Sequence, residues 1–97
     1  MITGKAHING KLARILIDPG ATFAFISSTY VMHNKLKISD LNKPVIVSMP
    51  MGMSIVCKNV YRDVSVKISG KEMKWNFIPL SISEFDAILG MNGLSYY

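Results

Sequence analysis

Several things are scarce in this 97-residue sequence, and each scarcity excludes a class of protein. There is one cysteine, Cys57, so no internal disulfide framework can form, and a lone thiol fits a reducing compartment. The two histidines, His7 and His33, are with Cys57 too few and too scattered for a structural zinc site. No apolar run approaches the ~18 residues that a membrane-crossing helix requires. The opening Met1-Ile2-Thr3-Gly4-Lys5 lacks the basic-then-apolar pattern of a secretory leader. There is no glycine-rich phosphate loop, which argues against nucleotide binding. The expectation from these absences is an intracellular, cytoplasmic chain with no membrane partner.

Acidic residues are also scarce, 6 against 11 basic ones, for a net charge of +5. The basic residues run from Lys5 to Lys74 without a block of like charge, whereas nucleic-acid binders cluster Lys and Arg with aromatics interleaved. The charge therefore argues against a nucleic-acid partner and reads as a solvated, mildly basic surface. Charged residues make up only 18%, too few for a disordered tail, and the 49% hydrophobic content suffices for a packed core. With no linker, repeat or low-complexity tract, residues 1–97 are expected to form one small domain.

The hydrophobic pattern has period two, the signature of half-buried strands. Residues 5–8 and 11–17 flank Asn9-Gly10, a strong hairpin signal because both residues tolerate positive φ. The second strand ends in Ile15-Leu16-Ile17, an apolar run that predicts burial on both faces. Asp18-Pro19-Gly20-Ala21 breaks it, and Phe23-Ala24-Phe25-Ile26 resumes as a short strand. Ser27, Ser28 and Thr29 supply caps for a helix through about Leu36. Pro44 opens a strand over 45–49, Pro50-Met51-Gly52-Met53 reads as a turn, and strands follow over 54–58 and 61–68. After Ser69-Gly70-Lys71, Met73, Trp75 and Phe77 again stand two apart. Ala87-Ile88-Leu89 is a last buried strand, and Gly90 lets the chain bend into a helical turn. The expected fold is all-β, mostly antiparallel and barrel-like, with one or two short helices.

Asp18 follows a buried apolar strand and directly precedes Pro19-Gly20. A carboxylate in that position must be hydrogen-bonded, paired or open to a cleft. On local sequence alone it reads first as a turn aspartate bonding the backbone two residues on. Other candidates carry less. Ser27 or Ser28 with His33 and Asp40 has the composition of a hydrolase triad but lacks a nucleophile elbow. Cys57 reads as a buried inert thiol, and Trp75 as core rather than a recognition anchor.

The segment Leu16-Ile17-Asp18-Pro19-Gly20-Ala21-Thr22-Phe23-Ala24-Phe25-Ile26-Ser27 resembles the active-site segment of retropepsin-like aspartic proteases, most closely those of gypsy-type LTR retrotransposons. Phe85-Asp86-Ala87-Ile88-Leu89-Gly90-Met91 resembles the segment that packs behind the active-site loop in that family. Met49-Pro50-Met51-Gly52, followed by Val60-Tyr61-Arg62, is similar to its flap hairpin and the next strand. The likeness runs over about residues 8 to 96.

The resemblance implies a retropepsin-like closed barrel and an aspartic endopeptidase with Asp18 as the catalytic residue. It implies an active-site loop of Pro19, Gly20, Ala21 and Thr22, supported by Ile88, Leu89 and Gly90. Met51, Gly52 and Met53 would form the substrate-binding flap, although strand packing is an equal reading of its methionines. Aspartic proteases need two carboxylates sharing a proton, yet Asp40, Asp63 and Asp86 are not followed by x-Gly. The second Asp18 would come from a symmetric homodimer. The substrate implied is a peptide or retroelement polyprotein, with no metal and no other cofactor. Family members carry Thr or Ser after the catalytic Asp, and that hydroxyl bonds across the dimer; Pro19 has neither a hydroxyl nor an N–H. Met91-Asn92-Gly93-Leu94 stands where the family has Met-Asp-Trp-Leu, and the chain stops at Tyr97, where relatives continue into an interface strand. Truncation at the C-terminus is one expectation and a decaying locus another. The alternative function is a catalytically inactive domain serving in dimerisation or peptide binding.

Overall fold

The computed structural model describes residues 2–48 and 54–90. Within them lie seven strands and one short helix, so the all-β expectation holds: β1 (Ile2–Ile8), β2 (Lys11–Asp18), β3 (Ala24–Ser27), α1 (Ser28–Met32), β4 (Ile38–Ser48), β5 (Ser54–Ile68), β6 (Lys71–Leu80) and β7 (Ala87–Gly90). The β1–β2 turn holds Asn9 and Gly10 at φ 48° and 82°, the left-handed pair that a two-residue hairpin demands. Ser69 and Gly70, at 50° and 81°, repeat the device between β5 and β6.

Three boundaries differ from the sequence expectation. The helix stops at Met32 rather than Leu36. His33 N–H and Asn34 Nδ2 both donate to the Tyr30 carbonyl, at 3.1 and 3.0 Å, and Lys35 turns to φ 50°. β4 begins at Ile38, ahead of Pro44; the proline is tolerated because β4 is an edge strand whose register against β5 shifts between Asp40 and Val45. The strands expected over 54–58 and 61–68 are one strand, β5. Its register against β6 shifts between Tyr61 and Val64, where Asp63 sits at φ 54° and donates its N–H to Asn76 Oδ1 at 2.9 Å.

The sheet order is β1-β2-β7-β3-β6-β5-β4, and β1 also pairs with β5 through His7↔Lys67 and Ile8↔Val66. That short pairing turns the sheet back on itself, which is the form the expected closure takes, with β4 left outside. Most pairings are antiparallel; β2–β7 and β3–β6 are parallel.

Strand parity builds two cores. Ile8, Ile15, Ile26, Val66, Phe77 and Leu89 are almost fully buried in the larger one; burying each such side chain stabilises by about 1.5–3 kcal/mol. Phe25, Val47, Cys57 and Ile78 form the second, with Ile88 packed against it. β3 and β7 therefore contribute to both cores. β2 does not: Ile15 is buried, but Leu16 and Ile17 are only half-buried, which corrects the expectation of burial on both faces.

Candidate active site

β2 ends at Asp18, and the chain turns at once: Ala21 N–H donates to the Asp18 carbonyl at 3.1 Å. Gly20 N–H donates to Asp18 Oδ1 at 3.0 Å, so the carboxylate does bond the backbone two residues on. The second carboxylate oxygen takes no hydrogen bond among the described residues, and the side chain is half-buried. Pro19, Gly20 and Thr22 are exposed and Ala21 is half-buried. A Cβ at Gly20 would lie 3.4 Å from Asp18 Oδ1, an ordinary contact, and the backbone there is not in the left-handed region, so neither space nor strain demands glycine at this position.

The loop rests on β7. The parallel register pairs Ile17 with Leu89 and Asp18 with Gly90. A Cβ on Gly90 would fall 2.3 Å from the Phe23 carbonyl oxygen and 2.8 Å from that of Ala21. Only a residue without a side chain fits beneath the loop at this point. The Gly90 carbonyl is fixed as well, accepting from Trp75 Nε1 at 3.2 Å in a buried bond. Of the three residues expected to support the loop, Gly90 touches it, Leu89 anchors β7 in the larger core, and Ile88 faces the other way. Trp75 is core, as read from the sequence.

Ile88 faces a cleft of about 580 Å³ that Asp18, Gly20, Ala21 and Thr22 border on one side. Its remaining walls are Phe23, Phe25, Ile46, Val47 and Leu80, all apolar. A carboxylate at the rim of an apolar groove can act on a bound chain while the walls hold side chains and exclude water. The walls were missed in the sequence, although parity offered a signal: Phe25 and Leu80 lie on strand faces opposite Ile26 and Phe77. Met51, Gly52 and Met53 lie outside the described residues, as do Met91, Asn92, Gly93, Leu94 and Tyr97. The strands leading to the expected flap are described as far as the Ser48↔Ser54 pair.

Asp86 makes contacts that the sequence did not reveal. Its carboxylate Oδ2 accepts Arg14 N–H at 2.7 Å, its own N–H donates to the Arg14 carbonyl at 2.8 Å, and its carbonyl accepts Ser27 N–H at 2.8 Å. Burial first, and then the negative charge of Asp86, push the Tyr30 phenol above its usual range.

The rival triad does not assemble. Ser27 is buried as the helix cap, its Oγ accepting from Tyr30 N–H at 3.3 Å and donating to the Ile82 carbonyl at 3.4 Å. No hydrogen bond among the described residues joins His33 to Asp40 or to either serine. No group of three or more His, Cys, Asp or Glu side chains among the described residues could hold a metal ion. No helix there is long and apolar enough to cross a membrane, which says nothing of a β-barrel.

A family model described as retroviral aspartyl protease matches residues 1–97. Among solved structures, the crystal structure of the retroviral protease-like domain of Ddi1 from Leishmania major superposes with a TM-score of 0.68 at 17% sequence identity, covering 98% of this chain and 75% of that one. At that identity the likeness shows the fold alone. No curated protein matches as a relative.

Proposed function

This chain belongs to the retroviral aspartyl protease family, and from that premise we propose that it is an aspartic endopeptidase, active as a homodimer in which the two copies of Asp18 form the catalytic pair. The observation that carries this reading is Asp18 at the end of β2, one oxygen held by Gly20 N–H at 3.0 Å, at the rim of an apolar cleft of about 580 Å³. In the reaction, the ionised carboxylate takes a proton from water as the water oxygen bonds to the peptide carbonyl carbon. The protonated partner gives its proton to the carbonyl oxygen. Collapse of the tetrahedral adduct breaks the C–N bond: one copy returns its proton to the leaving nitrogen while the other takes a hydroxyl proton from the adduct, which forms the new carboxyl group and restores the single proton shared by the pair. The two acidities belong to the pair rather than to either copy.

The proposed unit is one domain over residues 1–97, intracellular and free of metal and organic cofactors. Met51, Gly52 and Met53 serve as the flap over the cleft. The substrate is an extended stretch of polyprotein, in keeping with the likeness of the Asp18 segment to gypsy-type retroelement proteases.

Pro19 favours a second reading, a silent domain that binds peptides or dimerises. It supplies neither the hydroxyl nor the N–H that would bond across the paired loops. The two readings part in a cleavage assay on an unfolded protein from about pH 3 to 9, comparing the chain with Asp18→Asn. Cleavage that is best at mildly acidic pH, vanishes in Asp18→Asn and falls faster than linearly on dilution supports the enzyme. A folded sample that cleaves nothing, or a rate flat to about pH 9, counts against it.

A further inference from the structure

A parallel pair between distant strands has no turn to set its register, and β7 offers β2 only four residues, three of them apolar. A slip of two residues would keep every β7 side chain on its present face, so hydrophobic parity alone does not choose the pairing. Yet the site tolerates no slip. Gly90 is the residue beneath Ala21 and Phe23, and a Cβ in its place would meet the Phe23 oxygen at 2.3 Å.

Asp86 is the residue that counts the register. It stands immediately before β7 and grips both main-chain groups of Arg14, one with its carboxylate at 2.7 Å and the other with its N–H at 2.8 Å. Its carbonyl accepts from Ser27 at the end of β3, at 2.8 Å, so one residue ties together the three strands that carry and seat the loop. The Arg14 guanidinium lies 5.9 Å from the centre of the neighbouring Phe85 ring, which marks the same junction. From that origin the ladder runs through Ile15↔Ala87 to Asp18↔Gly90. We infer that Asp86 is a positioning residue for the Asp18 loop, acting through Arg14 and the β2–β7 register, and that its role is to offer an acceptor oxygen rather than a charge. Its catalytic consequence rests on the proposed protease reading.

The test compares the full chain with Asp86→Ala and Asp86→Asn, at one protein concentration and with the association state checked by sedimentation. The amide resonances of Gly20 and Gly90 report the loop directly, with or without activity. In Asp86→Ala both should move, and kcat should fall about tenfold to a hundredfold with KM little changed, because misplacing a reacting group by about 1 Å costs on that order. Asp86→Asn keeps an acceptor at the same reach, so it should hold both resonances and restore most of the rate. If Asp86→Ala does not fold, Asp86→Ser, whose oxygen stops one bond short of Arg14, takes its place with the same expectation. Unmoved resonances in the Ala or Ser variant overturn the inference, as does a folded Asp86→Asn displaced as far as Asp86→Ala. A wild-type chain that cleaves nothing while the resonances respond as expected refutes the protease reading and leaves the positioning role standing.

Discussion

Replacing Gly90 by alanine should be far costlier than one methyl group suggests. The added Cβ falls 2.3 Å from the Phe23 carbonyl oxygen and 2.8 Å from the Ala21 oxygen, where ordinary contact begins near 3.4 Å. Both obstructing atoms are main chain, so no side chain can rotate away; either the loop lifts by about 1 Å or β7 retreats. β7 cannot retreat cheaply, because Leu89 is buried in the core and the Gly90 carbonyl is held by Trp75 at 3.2 Å. Overpacking typically costs about 1–3 kcal/mol, and the rigidity on both sides puts Gly90→Ala near the top of that range. For a domain of this size that corresponds to a fall in Tm of roughly 10–20 °C. Urea unfolding at a fixed protein concentration measures it, with Gly4→Ala as the control. Gly4 is exposed, with nothing within 4 Å of the would-be Cβ, and its substitution should stay within about 0.5 kcal/mol of wild type. A Gly90→Ala protein that also stays within about 0.5 kcal/mol, with an unchanged m-value, refutes the close-seating argument.

Trp75→Phe keeps an aromatic ring in the core but removes the indole donor to the buried Gly90 carbonyl; the expected loss is about 1–3 kcal/mol by the same unfolding measurement, and no loss would show that the bond to Gly90 contributes nothing net. Burial pushes the Cys57 thiol up, so the folded chain holds that proton more tightly than the unfolded one does. Its contribution to stability is full below the ordinary thiol range and is lost as pH rises through the folded value, so the urea midpoint should fall more steeply from about pH 8 to 10 in wild type than in Cys57→Val; parallel slopes would contradict this. Pro19→Thr restores a hydroxyl and an N–H beside Asp18 and should tighten self-association in sedimentation equilibrium; an unchanged dissociation constant would remove Pro19 as a source of weakness.

Local chemistry was legible in the sequence wherever it was decided locally. Asn9-Gly10 and Ser69-Gly70 adopt the left-handed pairs that their types suggest. The alternation of Val64 and Val66, and of Trp75 and Phe77, marks core-facing sides correctly. What stayed hidden was decided by distant partners. The continuity of β5 depends on β4 pairing along one stretch and β6 along another. Leu16 is half-exposed and joins neither core among the described residues, while Ile88 packs against the smaller one. The Asp18 turn could be read from Asp-Pro-Gly, but the seat beneath it needed the β2–β7 register, which neither strand specifies alone. In the sequence Asp86 stands only as part of the segment resembling the support of the loop and as an aspartate without x-Gly; its contacts with Arg14 and Ser27 belong to the fold.

The Arg14–Asp86 link spans 72 residues, and that separation has a consequence in time. During synthesis the β1–β2 hairpin can form as soon as it emerges, yet Asp18 then ends a strand whose other neighbour has not been made. Pairings between such distant segments form slowly, because a long loop must close before any contact rewards it. The cleft is therefore among the last parts of the molecule to acquire its shape. In a newly made chain β2 precedes the residues that seat the Asp18 loop, so the loop cannot take its observed place until β7 has docked. Under the proposed protease reading, that order of folding is itself a restraint on when cutting can begin.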